Sequence, residues 1–281
     1  MKPDDLRARI EKYAAIPAGE QLPADAENTV AHLLDALEHG SVRAAERGTD
    51  GVWHAVPWVK RGILLGFRVG ELRDMGGGDG LSFVDKHTFP ARRLHADGGI
   101  RVVPGGSSIR RGAYVGAGVV CMPPMYINVG AYVGAGTMVD SHALVGSCAQ
   151  IGQRVHISAA AQIGGVLEPV NASPVVIEDD VLVGGNCGVY EGTVVRARAV
   201  LAAGVVLTRG TPVFDLIRET VYRASPDTPL EIPEAAVVVP GTRALKDGWG
   251  ASQQLGLQAP IIVKYRDDKT DLATALESWL R

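Results

Sequence analysis

Residues Ile109–Gly164 read IRRGAYVGAGVVCMPPMYINVGAYVGAGTMVDSHALVGSCAQIGQRVHISAAAQIG, and the period of this stretch decides the fold. In steps of six from Ile109 come Val115, Cys121, Ile127, Val133, Val139, Val145, Ile151, Ile157 and Ile163, all apolar and all but Cys121 β-branched. Four places after the anchors stand Ala113, Val119, Met125, Ala131, Thr137, Ala143, Ala149, Val155 and Ala161, again small or apolar. The residue just after an anchor is mostly small or turn-forming, as at Gly116, Asn128, Gly134, Asp140 and Gly146. The phase breaks at Gly165–Val176 and resumes at Ile177, Val183, Val189, Val195, Leu201 and Leu207. A period of six fits neither an α-helix nor a simple alternating strand. It fits short strands joined by regular turns, with the anchor and fourth-following side chains pointing into one narrow interior. Three hexads close one triangular coil, so the run makes about five coils of a parallel β-helix. Handedness does not follow from the repeat, because ordinary parallel crossovers are right-handed.

The composition fits a backbone that turns often, with 35 glycines in 281 residues. Lys and Arg number 28 against 31 Asp and Glu, a net charge of -3 that argues against a protein built to neutralise nucleic-acid phosphates. Three cysteines (Cys121, Cys148 and Cys187) cannot form a disulfide framework in a chain this long. With no charged-then-apolar segment at Met1, they point to a reducing cytoplasm. No stretch approaches the roughly 18 apolar residues of a membrane span, so a soluble protein with no membrane partner is expected.

A solenoid has two ends to cover. Pro3 to about Ala15 and Ala24 to about Glu38 read as amphipathic helices, the second with Val30, Leu33, Leu34 and Leu37 on one face. Gly51–Gly70 carries apolar, β-branched runs suited to strands. The glycine cluster Gly76–Gly80 lacks a Lys-Ser/Thr tail and reads as a surface loop rather than a phosphate loop. Ala235–Pro240 and Pro260–Tyr265 read as strands and Asp271–Arg281 as a terminal helix. The expected organisation is an N-terminal α/β cap over residues 1–100, the β-helix over 101–214, and a C-terminal extension of strands and a helix over 215–281. The break at 165–176 should protrude as a loop, and its Asn171-Ala172-Ser173 triplet carries no weight without a secretion signal.

Several separated motifs resemble one family. They are WVKRGILLGFRV (Trp58–Val69), RVVP (Arg101–Pro104), the run Ile127–Ser158, IGGVLEP (Ile163–Pro169), VVIEDDVLVGG (Val175–Gly185) and LKDG (Leu245–Gly248). Together they resemble tetrahydrodipicolinate N-succinyltransferase. The resemblance implies a trimeric left-handed parallel β-helix enzyme of lysine and diaminopimelate biosynthesis. Such an enzyme moves succinyl from succinyl-CoA, a co-substrate and not a resident cofactor, to the amino group of ring-opened tetrahydrodipicolinate, 2-amino-6-oxopimelate.

That chemistry sets requirements. Aminolysis of a thioester needs an amine with a free lone pair, a proton acceptor and donors for the tetrahedral oxyanion. A dicarboxylic acceptor calls for an arginine able to bind bidentately. The resemblance makes Asp140, in TMVD, a substrate-amine ligand and general base, where spacing alone reads a turn aspartate. It makes Arg101 a substrate ligand, the alternative being a surface residue at the cap–coil junction. Better-known members carry a catalytic glutamate where this chain has Gly188, which leaves Glu191 as the local acid or Asp140 acting with water alone. Lys246 is a candidate for the CoA phosphates, or else a solvated lysine.

His142 and His156 lie off the inward positions, and with no third ligand they make no metal site. His142 reads as a groove-lining or subunit-contact residue, and Cys148 as a buried structural thiol. An N-acetyltransferase on the same acceptor and a non-catalytic solenoid are the alternatives. The mixed Gly, Arg, Asp and Gln at outward positions argue against a flat surface-binding face.

Overall fold

The structure is a computed structural model that describes residues 1–76 and 82–267. The hexads form three parallel sheets around a narrow interior. The first face stacks Tyr114–Val115, Tyr132–Val133, Gln150–Ile151, Val176–Ile177, Val194–Val195 and Glu231–Ile232. The second begins at Arg101–Val102 and stacks Val120–Cys121, Met138–Val139, His156–Ile157, Leu182–Val183, Val200–Leu201 and Ala236–Val239. The third stacks Ser108–Ile109, Tyr126–Ile127, Leu144–Val145, Gln162–Ile163, Gly188–Val189 and Val206–Leu207.

Within most rungs the first residue faces out and the anchor faces in, so the anchors from Ile127 to Leu207 are fully buried. The fourth-following residues complete the interior. Thr137, the polar one among the unbroken run, is satisfied there: its Oγ1 donates to the Gly152 carbonyl at 2.9 Å and accepts from Val155 N–H at 3.0 Å. The turns share one device. The residue three places after an anchor adopts positive φ, as at Gly112, Gly118, Gly130, Gly136, His142, Cys148, Arg154 and Ala160.

The cap is built from α1 (Pro3–Ala14), α2 (Ala26–Glu38) and α3 (Pro57–Val69). Strands were expected over Gly51–Gly70, but only Trp53–Ala55 is one, and the rest is α3. Pro57 opens this helix, whose Val59, Ile63 and Gly66 lie on one buried face. A Cβ on Gly62 would come within 2.3 Å of Leu33, so the small residues are there to let α3 approach α2. The β-branched content was the misleading signal. Ala45–Arg47 pairs with Trp53–Ala55, and Leu72–Asp74 with Val84–Lys86.

The cap covers the edge between the third and first faces. Val129 and Cys148, from the turns along that edge, are buried among the cap's apolar residues. Cys148 is therefore a buried thiol, but in the cap–coil seam and not in the coil's interior; burial pushes its pKa up to about 12.

After Leu207 the chain leaves the coil for the pair Val213–Asp215 and Thr220–Tyr222, then returns as Glu231–Ile232 and Ala236–Val239, so rungs continue beyond residue 214. A hairpin, Thr242–Ala244 with Gly256–Gln258, encloses the short helix α4 (Gly248–Ser252). Ile261–Tyr265 then inserts between Ala236–Val239 and Val213–Asp215. The helix expected at Asp271–Arg281 and most of Gly76–Gly80 lie outside the described residues. Among those described, no helix is long and apolar enough to cross a membrane.

Asp215 anchors the extension. It accepts from the Tyr265 hydroxyl at 2.5 Å and from the N–H groups of Ile217 and Arg218 at 2.9 and 3.0 Å. Burial alone would raise its pKa, but those hydrogen bonds outweigh burial and hold it below the ordinary value. A carboxyl depressed in the folded state stabilises above its unfolded pKa, about 3.9, and loses that contribution as pH falls through the folded value. Asp215→Asn should therefore lower Tm at neutral pH and flatten the fall in Tm between about pH 5 and 2, measured by thermal melts across that range.

Candidate functional site

Glu191 sits at a corner unlike most others. Most turns have one residue at positive φ, but here both Glu191 (φ 54°) and Gly192 (φ 75°) adopt it, as only the glycine pair Gly105-Gly106 does elsewhere among the described rungs. A left-handed non-glycine residue costs roughly 1–2 kcal/mol, which surrounding contacts must offset. Gly192 is tied twice, since a Cβ there would also meet the Ser173 carbonyl at 2.7 Å. The carboxylate of Glu191 accepts the Arg209 N–H at 2.8 Å.

Two excursions leave the coil at this edge, one after Ile163 and one after Leu207, on the rungs below and above Val189. Between them lies a cleft of about 730 Å³. Gly164, Gly165 and Glu168 line one wall, Thr208 and Arg209 another, and Tyr190 and Glu191 the floor between them. The break at 165–176, expected to protrude, thus serves as a wall of the cleft.

That wall is held from the cap. Lys60 of α3 is fully buried, and its ammonium donates to the Ala172 carbonyl. Burial lowers its pKa, opposed by a smaller effect of Cys148. The spacing within WVKRGILLGFRV does not distinguish Lys60 from the exposed-face residues beside it, so this contact was not legible. Tyr190 was missed as well, because its position between an anchor and a turn is unremarkable in sequence.

Asp140 stands elsewhere. It follows a strand of the second face, whereas Glu191 follows a strand of the third, so the two carboxylates leave one chain on different edges. Asp140 Oδ1 accepts the Ser141 N–H at 2.7 Å, and Oδ2 lies 3.9 Å from His156 Nε2. His156 is on the next rung, paired with Met138. Arg101 opens the same face: it pairs with Val120, which pairs with Met138, and its side chain is exposed. Arg101 and His156 thus lie on rungs of the second face, three apart, with Asp140 in the turn that follows the Met138–Val139 rung between them. His142 is an exposed turn residue with φ 63°. Lys246 is exposed between the hairpin strand and α4. At Gly188, where an acid was missing, the space is taken by Tyr190, whose Cε2 would lie 2.5 Å from an added Cβ.

Two family models match. One, the N-terminal region of tetrahydrodipicolinate N-succinyltransferase, covers residues 5–69, and the other, the hexapeptide repeat of succinyl-transferase, covers 174–209. A 2,3,4,5-tetrahydropyridine-2,6-dicarboxylate N-succinyltransferase of Polynucleobacter asymbioticus is 42% identical over 267 residues, covering 93% of this chain and 92% of its own. The protein of the same name from Nitrobacter hamburgensis is 41% identical, covering 92% and 90%. A crystal structure of a Campylobacter jejuni protein described as a 2,3,4,5-tetrahydropyridine-2-carboxylate N-succinyltransferase aligns over 88% of this chain and 64% of its own. Its TM-score is 0.53 at 17% identity, a likeness of fold. At the identity of the first two relatives, over nearly the whole of both chains, this chain belongs to the tetrahydrodipicolinate N-succinyltransferase family.

Proposed function

We propose that the chain moves a succinyl group from succinyl-CoA to the amino group of 2-amino-6-oxopimelate, the ring-opened form of tetrahydrodipicolinate, in diaminopimelate and lysine biosynthesis. One observation carries the reading: the identity to the succinyltransferases runs through cap, coil and extension alike, over 93% of the chain. With a CoA thioester as donor, the reaction belongs in the cytoplasm.

The coil's interior is filled by side chains from Ile109 to Val238 and leaves no room for a ligand of CoA's length. Both substrates then lie outside it, in a groove. Asp140 and Glu191 leave one chain on different edges, so a groove that uses both takes them from two copies. A closed ring of three copies places the second face of each against the cleft edge of the next.

In that groove the acceptor amine attacks the thioester carbonyl carbon. Asp140 takes the proton the amine loses, and the C–S bond then breaks to release the CoA thiolate, which is protonated in turn. Backbone N–H groups at glycine-rich turns suit the transient oxyanion. Arg101 grips a carboxylate of the acceptor through two parallel N–H···O bonds. Lys246, exposed on the hairpin, is the candidate for holding the CoA phosphates. Glu191 serves as the second acid of the groove.

Asp140→Asn keeps size and turn propensity but removes the proton acceptor, so turnover should fall by about 10²–10⁴ with assembly intact. Glu191→Gln should also lose turnover. Mixed after unfolding and refolding together in equal amounts, the two variants should recover about a quarter of wild-type activity, because a quarter of shared sites draw both intact residues from different copies. Thiol release from succinyl-CoA, with acetyl-CoA in parallel, is the assay. A mixture no more active than its components would show that the site is not shared.

Arg101→Lys should raise the acceptor KM about tenfold or more, while succinyl-CoA saturation and Tm stay unchanged. The exposed side chain makes this separation measurable. Equal weakening toward both substrates together with a lower Tm would assign Arg101 to architecture.

A further inference from the structure

The ring of Tyr190 lies across two glycines. An added Cβ on Gly164 would meet Tyr190 Cδ1 at 2.8 Å, and one on Gly188 would meet Cε2 at 2.5 Å and the hydroxyl oxygen at 2.9 Å. Other outward positions of the third face carry side chains: Tyr126, Leu144, Gln162 and Val206 stand above and below. Gly188 is the rung where that rank is bare, and the tyrosine from the following turn fills the space. The ring is only half-buried and lines the cleft beside Glu191.

Its position is also fixed. The Tyr190 N–H donates to the Leu207 carbonyl at 2.9 Å, and its own carbonyl accepts from the Thr193 hydroxyl at 2.7 Å and the Thr193 N–H at 3.2 Å. With two close contacts on the ring and its backbone bonded from both sides, the side chain has little freedom to leave. Among the described residues the hydroxyl has no hydrogen-bond partner, so its donor is available to a bound molecule.

We propose that Tyr190 is a further catalytic residue of the succinyl transfer, its hydroxyl donating a hydrogen bond to the oxyanion that forms when the amine adds to the thioester carbonyl. The inference rests on the succinyl-transfer reading above. In the step, the amine lone pair forms the C–N bond as the carbonyl π pair moves to oxygen. The Tyr190 O–H donates to that oxygen without giving up its proton. When the carbonyl re-forms, the C–S pair leaves with the CoA sulfur, and the amine's proton has gone to Asp140. A neutral phenol suits this role because it supplies a directed donor where charge develops and needs no compensating base.

Tyr190→Phe tests it, since the ring and its contacts with Gly164 and Gly188 remain while the donor is lost. The expected result is a fall in kcat of about 10²-fold, with KM for succinyl-CoA and for tetrahydrodipicolinate changed less than about threefold and Tm unchanged. An unchanged kcat would overturn the proposal. A loss in kcat that comes with matching losses in both KM values and in Tm would also overturn it, by making Tyr190 a packing residue. If wild-type protein released no thiol from succinyl-CoA with tetrahydrodipicolinate present, the succinyl-transfer reading would fail first, and the role of Tyr190 with it. Wild-type turnover together with an active Phe variant would leave that reading standing and remove Tyr190 alone.

Discussion

Tyr132 donates its N–H to the Ala149 carbonyl and Gly134 to that of Ile151, each at 2.9 Å, and on the rung above Gln150 donates to Val175 at the same distance. This parallel ladder is the constraint from which the rest of the molecule follows. Each rung copies the position of the one below, so side chains stack in ranks, inward anchor over inward anchor and turn over turn. The inward ranks must be apolar and of similar size, which the Val and Ile anchors supply. The interior is then too full for a ligand, and the chemistry is displaced to the edges and outer faces. The closeness of the rungs also dictates residue size. A Cβ on Gly146 would lie 2.1 Å from the Gly165 nitrogen, where the chain starts its first excursion.

The cap is joined to this ladder by polar contacts as well as apolar ones. Glu178 is buried at the seam and accepts from Trp53 at 2.9 Å and from Arg196 at 3.0 Å, and Arg196 also pairs with Glu231 at 2.8 Å. Arg43 donates to Gln150 at 2.9 Å and lies 3.7 Å over the ring of Tyr132. A buried carboxylate satisfied from two directions does little for stability beyond offsetting its own desolvation, but it fixes where the cap sits. Lys60 does the same on the other side of the seam, reaching a loop carbonyl that no apolar residue could hold. The cap therefore sets the shape of the cleft wall without contributing a residue to its floor.

The parts of the fold that were legible in the sequence are those governed by a local period. Ile109 to Ile163 could be read because each anchor does the same physical task as the next. Helix α3 could not, because Val59, Ile63 and Val69 are β-branched, and the glycines that allow close helix packing look like breakers until their neighbours are known. Cys148 was read correctly as buried, but its surroundings depend on the cap, which the hexad spacing does not see. In the site, Asp140, Arg101 and Glu191 were named through motifs, whereas the division of the two acids between edges needs the third dimension. Tyr190 became visible only with the two glycines its ring crosses, since no pattern along the chain links positions 164, 188 and 190.

The pairing of Tyr132 with Gln150, and of Gln150 with Val176, shows two ways of spending chain between rungs. The first spans one ordinary coil, while the second includes the excursion that walls the cleft. A change in length behaves quite differently in the two places. Removing or adding one hexad inside the coil would turn every later rung onto the next face and carry Glu191 away from its edge. Only whole coils, eighteen residues at a time as between Tyr132 and Gln150, preserve the register. An excursion starts and ends on the same edge, so it can lengthen or shorten by any number of residues at a modest loop-closure cost. Descent from a common ancestor should therefore leave coil lengths in discrete steps, while the two loops beside Tyr190 drift in length and reshape the cleft for different acceptors.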